Sequence, residues 1–110
     1  MKRVLIVDDE VDLCLLIKNY LNKKDYEVHT AHTLSEGVMK IESLAPDVLL
    51  LDNNLPDGMG WKAAQSIHLQ FPHISITLIS AYETPKDFKT NIHINILEKP
   101  ISLRDIEKYL

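Results

Sequence analysis

A single α/β domain built on a mostly parallel sheet is what this sequence predicts, and three observations predict it. Short aliphatic runs alternate with longer segments of helical period, one central run is apolar at every position, and polar residues stand where the runs end. The 110 residues suffice for one domain with one apolar core and are too few for two of ordinary size. The expectation is one domain over residues 1–110, with no linker and no output domain in this chain.

The elements follow in order. VLIV (4–7) is the first strand, and a helix from about Glu10 to Lys24 follows, with Leu13, Leu16, Ile17, Tyr20 and Leu21 as its apolar stripe and Cys14 and Leu15 off it. EVHTA (27–31) is the second strand. Thr33-x-x-Glu36 is a capping box for a helix to about Leu44, which Ala45-Pro46 ends. VLLL (48–51) is the third strand, apolar on both faces as the middle of a parallel sheet requires, with Asp52 at its carboxyl end. The loop NLPDGMG leads into a helix marked by Trp61, Ala64 and Ile67 that runs to about Gln70. SITLIS (75–80) is the fourth strand, Thr84-Pro85 starts a short helix, and INIL (94–97) is the fifth strand. Lys99-Pro100 breaks that strand, and Ser102-x-x-Asp105 caps a last helix to Leu110.

Composition narrows the function. The chain is 45% hydrophobic and 25% charged, as globular proteins are, with a formal net charge of −4. Its basic residues form no stripe that would track a phosphate backbone, which argues against nucleic-acid binding. No apolar stretch approaches the roughly 20 residues of a bilayer span, and VLIV is too short for a signal-peptide core, so the expected place is the cytoplasm, away from membranes. The single Cys14 rules out a disulfide within the chain and reads as a small helix side chain. The five histidines show no ligand spacing, and Trp61 reads as packing against the sheet.

In an open parallel sheet ligands bind at the carboxyl ends of the strands. Here those ends carry Asp8-Asp9, Asp52, Ser80 and Lys99. Three clustered carboxylates repel one another and raise each other's pKa unless a cation sits among them, and hard oxygen ligands suit Mg2+ or Mn2+. With that ion Asp52 stays ionised and can attack phosphorus, while the metal, Ser80 and Lys99 stabilise the transferring oxygens. The product is an aspartyl phosphate.

These residues, in VLIVDDE, LLLDNNLPDGMG, LISAY and LEKP, resemble the receiver domains of two-component response regulators over essentially the whole chain. The resemblance implies a flavodoxin-like three-layer sandwich with a central five-stranded parallel sheet, strand order 2-1-3-4-5, and about five helices. It implies that Asp52 is the phosphoacceptor, Asp9 a direct metal ligand and Asp8 a ligand mainly through water, with the Asn54 carbonyl completing the protein's share of the metal sphere. Ser80 then bonds a phosphoryl oxygen and Lys99 pairs with the phosphate. Asn54 and Tyr82 flank the path of hydrolytic water. The expected donor is the phosphohistidine of a sensor histidine kinase or phosphotransfer protein, met through the first helix, on which Leu15 is a candidate docking residue. Homodimerisation is compatible with the family. Such a domain catalyses its own phosphorylation and dephosphorylation and is not an enzyme toward an outside substrate.

Two departures stand out. Ile96 occupies the place of the usual aromatic switch residue, and isoleucine has no hydroxyl and a stiff χ1. The stretch from Ser80 to Lys99 is also short, which predicts a trimmed fourth helix. Both departures favour the alternative of a pseudo-receiver scaffold not switched by phosphate, while the complete acid, serine and lysine set opposes it. A phosphatase of the haloacid dehalogenase kind also uses a strand-end aspartate, but it wants a second acid where this chain has Asn54.

Overall fold

The computed structural model describes residues 1–81 and 94–110. Strand β1 spans Lys2–Val7, α1 Val11–Asn22, β2 Tyr26–Ala31, α2 Leu34–Leu44 and β3 Val48–Asp52. A two-residue hairpin, β4 (Asn54–Leu55) and β5 (Gly58–Met59), leads to α3 (Gly60–Gln70), followed by β6 (Ser75–Ser80), β7 (Asn95–Glu98) and α4 (Leu103–Glu107). The five long strands form one parallel sheet in the order β2-β1-β3-β6-β7, which is the expected 2-1-3-4-5 once the hairpin is set aside.

Alternation along the central strands explains the three layers. Leu5, Val7, Leu49 and Leu51 point to one face, where they pack with Ile41 of α2 and Ala64 and Ile67 of α3. Val4, Ile6, Val48 and Leu50 point to the other, against Cys14, Ile17 and Leu21 of α1 and Ile106 of α4. Every residue of β3 is buried, as a strand covered by helices on both faces must be. At Gly37 a Cβ would come within 2.9 Å of a Val7 methyl, so the absence of a side chain lets α2 lie close on β1.

Helix boundaries follow local chemistry. Thr33 caps α2 by accepting the Glu36 N–H, and Ala45 ends it in a left-handed turn, φ 48°, before Pro46. Ser102 caps α4 by accepting the Asp105 N–H. The Lys99–Pro100 peptide is cis.

Four expectations need correction. The inward stripe of α1 is Cys14, Ile17 and Leu21, with Leu13 and Tyr20 at its margins, whereas Leu16 is 55% exposed. Leucines at 13, 15 and 16 leave the helix phase open on hydrophobicity alone. In the phase adopted, Cys14 packs in the core with Ile17 and Leu21, and its thiol donates to the Asp8 carbonyl 3.4 Å away. The last helix stops at Glu107, and the fifth strand lies at 95–98. The segment after Asp52, expected to be loop, contains the β4–β5 hairpin, whose two-residue strands are too short to leave a periodic signal. The helix start at Thr84-Pro85, the trimmed fourth helix, Tyr82 and His93 lie outside the described residues. No helix among the described residues is long and apolar enough to cross a membrane.

Candidate functional site

The carboxyl edge of the sheet gathers the polar residues singled out above. Asp8 follows β1, Asp52 closes β3, and Ser80 closes β6 one residue past the β-partner of Asp52, Ile79. Lys99 follows β7, and its N–H donates to the Ser80 carbonyl at 2.7 Å. The switch point lies here too, since β1 neighbours both β2 and β3 and the chain winds outward on either side.

Carboxylate oxygens of Asp8, Asp9 and Asp52 lie within 4.8 Å of one another. Asp8 and Asp52 are buried, and Asp9 is exposed. Asp8 Oδ1 accepts the Glu10 N–H at 2.8 Å, and Asp52 Oδ1 accepts the Asn54 N–H at 3.2 Å. Lys99 Nζ lies 3.3 Å from Asp8 Oδ2, 3.4 Å from Glu10 Oε2 and 3.9 Å from Asp52 Oδ1. One ammonium therefore serves several carboxylates.

The electrostatics follow. Burial pushes the Asp52 carboxyl up to about 7, and the Asp8 charge adds to the rise, against the Asn54 N–H and Lys99, which favour ionisation. Burial raises Asp8 too, with the Glu10 N–H and Lys99 opposing. Burial works against the Lys99 ammonium, yet Asp8, Asp52 and Glu10 together hold its pKa above the usual lysine value.

This donor set fits a divalent cation. Asp8 Oδ2 is buried and ion-paired with Lys99 but accepts no well-formed hydrogen bond from any described residue. Such an oxygen retains acceptor capacity, and one carboxylate oxygen of Asp8 lies within 4.8 Å of oxygens of Asp9 and Asp52. Three hard oxygens with part of the sphere open to water are what Mg2+ prefers.

Relatives support the same reading of the fold. A family model described as the response regulator receiver domain matches residues 4–110. The chain belongs to that family. It is 31% identical over 107 residues to the transcriptional regulatory protein TrcR of Mycobacterium tuberculosis, covering 94% of this chain and 42% of that protein. It is 36% identical over 81 residues to the chemotaxis protein CheY of Thermotoga maritima, covering 73% of this chain and 68% of that one. A crystal structure of a CheY-like receiver domain from Methanospirillum hungatei superposes with a TM-score of 0.87 at 28% identity, covering 98% of this chain and 89% of the other. The receiver spans less than half the length of TrcR and of the Bacillus subtilis regulator PhoP.

Within this receiver the loop after Asp52 is tied down by residues the sequence pattern did not mark. Asn53 is buried, and its Oδ1 accepts the Trp61 N–H at 2.9 Å while its carbonyl accepts the Gly60 N–H at 2.8 Å, so it caps α3. At Gly60 a Cβ would fall 2.4 Å from the Asp52 carbonyl oxygen, so only glycine lets α3 start against the site. Asp57 reaches from the hairpin to the start of α2, where its two oxygens accept the Leu34 and Ser35 N–H groups at 2.8 and 3.0 Å. Those bonds hold its carboxyl below the ordinary range. Behind Asp8, His32 Nδ1 lies 2.9 Å from the Asp8 carbonyl, an acceptor to which it donates when Nδ1 carries the hydrogen. These capping roles depend on contacts between distant segments and carry no local signal beyond the residue type.

Trp61 is partly buried against the core, as expected, and Leu15 is half exposed on α1. Ile96 is 40% exposed on β7.

Proposed function

We propose that this receiver accepts a phosphoryl group on Asp52 in a reaction that needs Mg2+ or Mn2+, and that the phosphorylated form is the signalling state. The observation that carries this is the convergence of Asp8, Asp9 and Asp52 on one space at the sheet edge, with Lys99 beside them. Asp8, Asp9, Asp52 and the Asn54 carbonyl would hold the ion. When bound it neutralises the acidic cluster and withdraws charge from the transferring phosphoryl oxygens.

In the transfer, an Asp52 carboxylate oxygen forms a bond to phosphorus in line with the leaving group. The P–N bond of a phosphohistidine breaks with its electron pair going to imidazole. Lys99 is near enough to Asp52 to pair with the phosphoryl group, and the Ser80 hydroxyl, at the adjacent strand end, donates to one of its oxygens. The partner under this reading is a histidine kinase or phosphotransfer protein in the cytoplasm, and the domain turns over no external substrate.

A second reading has one observation in its favour. Ile96 stands exposed at the place of the usual aromatic switch and cannot form a hydroxyl hydrogen bond, which suits a scaffold that keeps the fold without the common readout.

Incubating the purified protein with acetyl phosphate and Mg2+ tests the choice. The phosphoacceptor reading expects a mass increase of one phosphoryl group that maps to Asp52 and is absent without metal. An unmodified protein under those conditions would favour the scaffold.

A further inference from the structure

We infer that Glu10 is a specificity-determining residue for phosphodonors, set against small, highly anionic donors and in favour of donors whose phosphoryl group arrives beside neutral or cationic groups. The inference rests on the phosphoacceptor reading of Asp52.

Glu10 occupies the N-cap position of α1, where a side chain ordinarily serves the helix by accepting an N–H. It makes no such bond. Its carboxylate turns toward Lys99 Nζ, 3.4 Å away, while remaining 58% exposed. An acid that well solvated does not depend on the lysine, so the pairing acts mainly on Lys99. Of the three acids near Nζ, Asp8 and Glu10 are closer than Asp52. Lys99 is thus shared between Asp52 and two nearer acids, of which Glu10 is the exposed one.

Glu10 also lines a cavity. The cavity measures about 430 Å³, is lined among the described residues by Glu10, Leu13, Ala81, Lys99, Pro100 and Ile101, and meets the acidic cluster only through the Lys99 ammonium. Its walls are apolar apart from Glu10 and Lys99. A donor approaching from this side meets the Glu10 charge at the point where Lys99 would otherwise attract it. A unit charge about 6 Å away in a near-aqueous dielectric changes an encounter rate by about threefold per donor charge. A donor that places a cation against Glu10 escapes this penalty.

The test measures adduct formation on Asp52 with two donors, acetyl phosphate and the less anionic phosphoramidate, at magnesium concentrations that saturate each protein by calorimetry. Glu10→Gln should raise the rate with acetyl phosphate by about tenfold and with phosphoramidate by about threefold at low ionic strength. The difference between donors should vanish in 1 M salt, where the screening length falls to about 3 Å. Glu10→Asp, which keeps the charge, should preserve the wild-type donor ratio, and equal melting temperatures would show the fold unchanged. Equal acceleration with both donors, or none, overturns the role given to Glu10 while leaving Asp52 as the acceptor. A wild-type protein that takes a phosphoryl group from neither donor overturns the acceptor reading and this inference together.

Discussion

The two ends of the parallel sheet treat charge in opposite ways. Toward the amino end, Arg3 pairs with Glu27 and donates to the Leu44 carbonyl, its N–H donates to Asp47 Oδ2 at 2.8 Å, and His29 Nε2 lies 2.9 Å from Glu27. There, contacts with His29 and Arg3 hold the Glu27 carboxyl below its ordinary pKa. At the carboxyl end the buried acids go the other way, with Asp52 pushed up to about 7. At the amino end Glu27 and Asp47 are each bonded to Arg3, whereas at the carboxyl end, among the described residues, Asp8, Asp9, Asp52 and Glu10 share the single ammonium of Lys99. Acids lowered by their partners stabilise the fold at neutral pH, while acids raised by burial cost stability there, the pattern expected of a site kept for a ligand.

Asp52→Asn should have the largest effect, because under the proposed function it removes the nucleophile and part of the repulsion at once. Phosphoryl adduct formation should fall to nothing by mass spectrometry. The metal-free protein should gain roughly 1–3 kcal/mol in urea unfolding at pH 7.5, since a buried carboxylate is relieved. A destabilised Asp52→Asn protein would break the contrast between the two ends.

The pH dependence sharpens it. The folded-state pKa of Asp52 lies above its ordinary 3.8, so its contribution to the metal-free protein is most favourable below 3.8 and is lost as pH climbs toward about 7. Glu27 has the opposite sign, favouring the fold above its ordinary value and losing that contribution in acid. Added Mg2+ should therefore raise the melting temperature little near pH 4.5 and increasingly up to about pH 7.

Smaller effects separate supports from ligands. Gly60→Ala should destabilise by about 1–3 kcal/mol and weaken Mg2+ binding, because its methyl meets the Asp52 carbonyl. Asp57→Ala removes two bonds to the start of α2 and should lower the melting temperature, with Asp57→Asn intermediate. Arg3→Met at the amino end should change stability by about 1 kcal/mol or less and leave Mg2+ affinity at its wild-type value by calorimetry.

How much of this was legible in the sequence differed by feature. The sheet and the acid, serine and lysine positions were, because apolar runs of strand length end in residues whose chemistry is distinctive. The α1 phase was not. Leu13, Leu15 and Leu16 offer equivalent hydrophobicity, and Cys14 is seen to face inward only once α1 is packed on the sheet, beside the Asp8 backbone. Asn53 and Asp57 read as ordinary turn residues until folding brings α3 and α2 to them. Glu10 was passed over for a related reason, since a helix-start acid usually serves the helix, and its partner Lys99 is distant in sequence.

The central claim is that the acidic edge is completed by a cation. Calorimetric titration of the metal-free protein with Mg2+, repeated in buffers of different ionisation enthalpy, tests it most directly. The expected result is saturable binding that releases protons at pH 7 and almost none at pH 9, as Asp52 gives up its proton to the site. Absence of binding, or binding with no proton released at pH 7, would contradict it.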